Sequence, residues 1–286
     1  FWLPEVVNDA VYSVGRMTSR AVDRALETVA DPAQAGRMLV EGGKGARVLA
    51  RLATMPADPD TVFSGQLCTR KLCAWSKIMP LERVKAFSRA QRATINDVLL
   101  AGVTGALRRY MVGRGQKVEG LDIRAVVPVN LRPDSEVVKL GNRFGLVFLA
   151  LPVGTDGEAA RLRALKQEMD RIKGSPQAIV AFGVLNALGM ASAEIESVGV
   201  GIFARKATAV MTNVPGPQKQ LYLAGQPIKE IMFWVPQSGR LGLGVSIFSY
   251  DGRVRLGVAV DAGLVPIPGM IITHFHEELA DLMQVT

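Results

Sequence analysis

From Thr61 to its end the sequence predicts an α/β fold, and three observations carry that reading. Apolar, β-branched runs alternate with longer segments of helical spacing, the pattern of a sheet with helices packed on it. One such segment, Ile95–Val112, repeats Ile95, Val98, Leu99, Gly102, Val103, Ala106 and Tyr110 at three- and four-residue intervals, so one face is core. Asp251-Gly252 separates two alternating runs and signals a two-residue type I′ hairpin.

Taken in order, residues 1–60 read as a helical linker arm. Two weak helical patterns, Val6–Val29 and Ala33–Leu52, lead into the proline-bearing Met55–Asp60. Strands are expected at Leu67–Trp75, Ile123–Val129, Phe144–Val153, Ala207–Asn213, Ile228–Trp234, Gly242–Tyr250 and Val254–Asp261, where β-branched and aromatic residues are bounded by Gly, Pro, Asn or Asp. Helices are expected at Leu81–Gln91, Ile95–Val112, Gly157–Lys173, Gln177–Ala191 and Pro268–Met283. Thr94 with Asp97 three residues on is a T-x-x-D capping box for the second helix, and Arg108 and Arg109 suit its far end electrostatically. The small Ala101, Gly102, Gly105 and Ala106 predict that this helix lies close against the sheet.

Composition bounds the function. Hydrophobic residues make up 49% and charged residues 21% of 286, which excludes a disordered chain. The 29 glycines follow no G-X-Y period, which excludes collagen. Two cysteines, Cys68 and Cys73, exclude a disulfide scaffold or a Cys-rich zinc module; they are expected to be small packed side chains in a reducing compartment. Phe1 stands where Met is expected, which reads as a piece of something longer. The uncharged Gly174–Ala193 is too polar for a bilayer span. Net charge is +8, and residues 61–286 hold 27 basic against 18 acidic residues. The excess is densest in Thr69–Arg92, seven basic residues against Glu82 alone, which fits a phosphate-bearing partner or a solvated face. Within it, Lys85, Arg89 and Arg92 form a stripe beside Leu81, Val84 and Phe87, an interfacial pattern. Too few aromatics interleave with these charges for a nucleic-acid platform.

Catalytic motifs are scarce. His274 and His276 are the only histidines, and a two-residue offset on a helix turns them to different faces, so they cannot share a metal. No G-x-S-x-G elbow exists, Gly199–Ala204 matches G-x-G-x-x-A without a preceding strand, and Gly42–Gly45 lacks the rest of a P-loop.

At TINDVLLAGVTGALRRYM, with VVPVNLRP, LGNRFGLVFLALPVG, NVPGPQKQLYLAGQPIKEI and GLGVSIFSYDGRVRLGVAVDAGLVP following in order, the chain resembles the C-terminal half of the bacterial wax ester synthase/acyl-CoA:diacylglycerol acyltransferase family. The resemblance implies a chloramphenicol acetyltransferase-like fold, with a mixed β-sheet flanked by helices in residues 61–286. It implies transfer of a long-chain acyl group from acyl-CoA to a fatty alcohol or diacylglycerol, with acyl-CoA as substrate and no bound cofactor. The family's catalytic signature, His-His-x-x-x-Asp-Gly, is absent here, and in the family it lies in the N-terminal half. This polypeptide alone is therefore expected to be inactive, its own N-terminal catalytic half being a required partner. The resemblance further implies that Asn96 and Asp97 shape the active site, and that Asn213, Pro215, Gly216, Pro217, Gly141 and Asn142 border the acyl channel. Lys85, Arg89 and Arg92 are candidates for contact with CoA phosphates or with a membrane. Apolar acceptors and products imply a peripheral protein on the cytoplasmic face of the membrane or on lipid droplets. The alternative is a non-catalytic lipid-binding or membrane-surface module. Each site segment also has a plain structural reading: a capped helix start for Asn96-Asp97, a strand-ending turn for Asn213–Pro217, and a turn before a buried strand for Gly141–Asn142.

Overall fold

The structure is a computed structural model, and it describes residues 47, 48, 50–52, 54–131, 144–189, 201, 204–237 and 239–284. The expected arm before residue 47, Gly141, Asn142 and the end of the expected helix Gln177–Ala191 lie outside the described residues.

The elements are β1 (Lys71–Trp75), β2 (Met79–Pro80), α1 (Leu81–Ala90), α2 (Ile95–Gly113), β3 (Ile123–Asn130), β4 (Phe144–Leu151), α3 (Glu158–Lys173), α4 (Gln177–Gly189), β5 (Ala209–Pro215), β6 (Tyr222–Leu223), β7 (Gln226–Pro227), β8 (Leu243–Tyr250), β9 (Arg253–Asp261) and α5 (Gly269–Gln284). The sheet runs β1-β9-β8-β5-β3-β4, with β2 also beside β9. It is mixed: β3 and β8 flank β5 in parallel, while β8, β1 and β2 meet β9 antiparallel. The chain divides into two compact units. The larger is Ala57–Val127, Phe148–Lys173 and Ala204–Thr286; the smaller takes in Pro128–Val147 and Gly174–Phe203, and its described part includes α4.

Sequence and structure agree on the strongest signals. Thr94 and Asp97 make the capping box, with Asp97 N–H donating to Thr94 Oγ1 (3.1 Å) and Thr94 N–H donating to Asp97 Oδ2 (2.8 Å). At the β8–β9 turn Asp251 and Gly252 have φ of 48° and 71°, the two positive values that a type I′ turn requires. The core gathers Val98, Leu99, Val103 and Leu107 of α2 with Leu243, Val245 and Ile247 of β8, Val254, Leu256, Val258 and Val260 of β9, and Ile271, Phe275 and Leu279 of α5.

Several expectations are corrected. The small residues of α2 bring it against another helix: a Cβ at Gly102 would overlap Leu279, and one at Gly105 would overlap the Glu278 carboxyl, both on α5. Arg108 and Arg109 do not serve the helix end, because α2 continues to Gly113. Arg108 donates to Val153 O (2.8 Å) and Arg109 donates to Glu278 (2.9 Å) and Asp281 (2.6 Å). The expected strand Ile228–Trp234 is no strand. Its apolar residues form a strap over the sheet face that carries Phe248 and Gly257: Phe233 packs edge-on to Phe248, Phe233 O accepts from Ser246 Oγ (2.8 Å), and Met232 and Trp234 fill the space that Gly257 leaves. Periodicity cannot distinguish a laddered strand from an extended cover over one. β1 starts at Lys71 rather than Leu67, since Cys68 N–H donates to the Asp261 side chain (2.9 Å) instead of joining the ladder. Cys68 and Cys73 are exposed, not packed: Cys68 precedes β1, and Cys73 lies on the outer face of this edge strand, whose other face, Leu72 and Ala74, meets the core.

Candidate functional site

The C-terminal ends of β5 and β8 bring the sequence candidates together. Asn96 follows the N-cap of α2 by two residues, and the capping box fixes that turn, so its amide projects from a rigid start. Asn213 lies in β5 opposite Ile247 of β8. The two meet: Asn213 Nδ2 donates to Asn96 Oδ1 at 3.0 Å, and both side chains are half-buried. Residues 117 apart in sequence thus form one amide pair, with the Asn96 N–H donors uncommitted among the described residues. Asp97 is fully buried, and Thr94 holds one of its carboxylate oxygens.

Beyond Asn213 the chain turns through Val214-Pro215-Gly216-Pro217. Gly216 N–H donates to Ser249 O (2.9 Å) and Asp251 N–H donates to Pro217 O (3.0 Å), pinning this turn to the β8–β9 hairpin. A Cβ at Gly216 would overlap Ser249 O and the Phe248 ring, so the close approach demands glycine.

The basic stripe is only partly as expected. Leu81, Val84 and Phe87 are buried in the core, so α1 offers no apolar face to a membrane. Lys85 is tied to Glu82 (2.7 Å), whose carboxyl that ion pair lowers. Arg89 and Arg92 remain exposed, and Arg92 sits at φ 50°, left-handed backbone held by the tight α1–α2 turn. The histidines are apart: His274 Nδ1 contacts Glu277 (2.9 Å), and His276 Nε2 accepts from Lys77 N–H (3.2 Å), with burial and then Lys77 lowering its pKa. No group of side chains able to hold a metal occurs among the described residues, and no helix there is long and apolar enough to cross a membrane.

Two charged centres escaped sequence reasoning. Arg161, Glu278 and Arg109 join α3, α5 and α2, with Arg161 and Glu278 both buried and ion-paired. Asp261, fully buried, takes hydrogen bonds from Lys71 Nζ (2.6 Å), Cys68 Sγ (3.3 Å), and the N–H groups of Gly263 (2.9 Å) and Cys68. Burial alone would raise its carboxyl; these donors outweigh it and lower the pKa to about 2. Partners 117 to 193 residues apart leave no local signal.

The mixed sheet is flanked by helices, and the Asn96–Asn213 pair and the Pro215-Gly216-Pro217 turn lie together at the C-terminal end of β5. Residues 140–283 match the WS/DGAT C-terminal domain, and the chain belongs to that family. A probable diacylglycerol O-acyltransferase of Mycobacterium tuberculosis H37Rv is 26% identical over 252 residues, covering 87% of this chain and 54% of that protein. A second from the same organism is 28% identical over 253 residues, covering 84% and 53%. The chain therefore spans about half the length of the curated relatives it matches. In structure it is similar to the wax ester synthase/diacylglycerol acyltransferase of Marinobacter aquaeolei VT8 (TM-score 0.61, 20% identity, 85% of this chain and 56% of that one). The epimerization domain of tyrocidine synthetase B also shares the fold (TM-score 0.55, 12% identity, 85% and 56%).

Proposed function

We propose that this chain is the C-terminal domain, with a helical arm at residues 1–60, of an O-acyltransferase that moves a long-chain acyl group from acyl-CoA to diacylglycerol or a fatty alcohol. Family membership supports the class, and the Asn96–Asn213 amide pair is the observation that supports a site at this end of β5. In the reaction the acceptor hydroxyl oxygen attacks the thioester carbonyl, a general base takes its proton, the C–S bond breaks, and the CoA thiolate leaves and is protonated. The uncommitted N–H donors of Asn96, on a helix N-terminus, suit an oxyanion forming at the carbonyl oxygen. The base belongs to the upstream half. Gly141 and Asn142 are retained as channel residues by family resemblance, alongside Asn213, Pro215, Gly216 and Pro217.

CoA carries phosphates, and Arg89 and Arg92 are the exposed cations nearest the start of α2 in sequence; with the apolar side of α1 buried, they suit a phosphate better than a membrane. Peripheral attachment to the cytoplasmic membrane face or lipid droplets follows from the apolar substrates, and Ile179 of the uncharged α4, 66% exposed, supports it. The test is turnover of palmitoyl-CoA with hexadecanol or diacylglycerol by the complete protein, this chain with its upstream half. Asn213→Ala is expected to lower kcat by about tenfold or more, as loss of a support for an oxyanion donor does. An unchanged kcat removes the amide pair from the site.

A further inference from the structure

One hydroxyl at the amide-pair end of the sheet is left over. Among the described residues four serines are buried: Ser76, Ser88, Ser246 and Ser249. Three of them spend the hydroxyl on a main-chain oxygen, Ser76 Oγ donating to Lys77 O (2.8 Å), Ser88 Oγ to Lys85 O (2.9 Å) and Ser246 Oγ to Phe233 O (2.8 Å). Ser249 differs. Its carbonyl takes Gly216 N–H (2.9 Å), but its hydroxyl makes no hydrogen bond to any described residue. A buried polar group is normally paired, so a free hydroxyl at this place needs an explanation.

Its position supplies one. Leu243, Val245 and Ile247 of β8 face the core, and strand alternation puts Ser249 at the end of the same row. On β5 Ala209 and Met211 face the core in the same way, and Asn213 follows them. Asn213 is opposite Ile247 and Pro215 is opposite Ser249, so Asn213 and Ser249 are diagonal neighbours on one face. A strand spacing of about 4.8 Å and a rise of about 3.3 Å per residue put them about 8 Å apart. The backbone there is tightly held, because a Cβ at Gly216 would overlap Ser249 O. On the acyltransferase reading, on which this inference rests, two reactants must meet at this place. The thioester carbonyl oxygen falls to the Asn96 amide, and the acceptor oxygen must stand about 3–3.5 Å from the carbonyl carbon. That distance with a hydrogen bond of about 3 Å at either side spans about 9 Å, so a second holder belongs where Ser249 lies. Ser249, Asn96 and Asn213 are all uncharged, which suits a neutral alcohol and not the phosphates of CoA. We propose that Ser249 Oγ–H donates to the acceptor hydroxyl oxygen, engaging one lone pair so that the other faces the thioester carbon. Ser249 keeps its own proton and forms no covalent bond; the acceptor's proton goes to the base of the upstream half.

The test is steady-state kinetics of the complete protein with palmitoyl-CoA and hexadecanol. Ser249→Ala should raise KM for hexadecanol by about three- to tenfold, the loss of one hydrogen bond, and leave KM for palmitoyl-CoA unchanged. Ser249→Thr, which keeps the hydroxyl, should restore the hexadecanol KM. The melting temperature of this chain should not fall in Ser249→Ala, since no hydrogen bond within the fold is lost. An unmoved hexadecanol KM, a rise in the palmitoyl-CoA KM instead, or a lowered melting temperature overturns the proposal. So does a gain of one acyl group on Ser249 in the mass spectrum of protein incubated with palmitoyl-CoA alone, which would make it a nucleophile. A complete wild-type protein that makes no ester refutes the acyltransferase reading and this inference with it; an active wild type with an unmoved hexadecanol KM in Ser249→Ala refutes the inference alone.

Discussion

Asn96 and Asp97 are neighbours with separable duties. Asp97 closes the capping box inside the core, and its loss costs about 0.5–2 kcal/mol of stability. Asn96 has no part in the cap and meets Asn213. Asn96→Ala in the complete protein should therefore lower ester synthesis more than it lowers the melting temperature, and Asp97→Ala should do the reverse; proportional losses in both variants would refute the division. The capping role was legible because it is local. The Asn213 contact was not, since the two residues are 117 apart and only the tertiary fold brings β5 to the start of α2. Asp261 supplies a pH prediction. Its pKa is lowered from the ordinary carboxylate range to about 2, so its contribution to stability is fully present above about pH 4 and is lost as pH falls toward 2. Thermal melts from pH 5 to pH 2 should show a steeper decline for the wild type than for Asp261→Asn, which should also be less stable at pH 7.

Among the elements, α2 depends most on its neighbours. Gly→Ala within a helix ordinarily stabilises by about 1 kcal/mol, and Gly113→Ala, with open space around it, should follow that rule. Gly105→Ala should not. Its methyl group would displace the Glu278 carboxyl from Arg161 and Arg109, and breaking a buried pair costs about 3–5 kcal/mol. Urea denaturation of the two variants checks the opposite signs. The sequence showed a stripe of small residues on α2 but not what they admit, because sheet and helix both accept a close approach. The same ambiguity governs α1, whose apolar side is core. With only Arg89 and Arg92 left to act, Arg89→Glu with Arg92→Glu should raise KM for acyl-CoA several-fold and leave co-sedimentation of the complete protein with anionic vesicles unchanged. The converse pattern would assign these charges to the membrane.

For the molecule as a whole, the prediction concerns completeness. Among the described residues neither histidine stands at the amide pair: His274 is engaged with Glu277, and His276 with the Lys77 backbone. The purified chain with palmitoyl-CoA and hexadecanol or diacylglycerol should give no ester above background, and joining the upstream half should give turnover; ester made by the chain alone would contradict this. By itself the sequence determined the α/β class, the capped helix α2, the Asp251-Gly252 turn and the family, because each is written in short-range periodicity, turn chemistry or ordered motifs. Tertiary structure alone decided that Asn96 pairs with Asn213, that Glu278 fills the space left by Gly105, that the Ile228–Trp234 segment is a strap and not a strand, and that Leu221–Leu223 stand in water. The physical reason is common to all four: whether a side chain is paired, buried or exposed depends on what the fold brings to it from far along the chain, and local sequence carries no record of that neighbour.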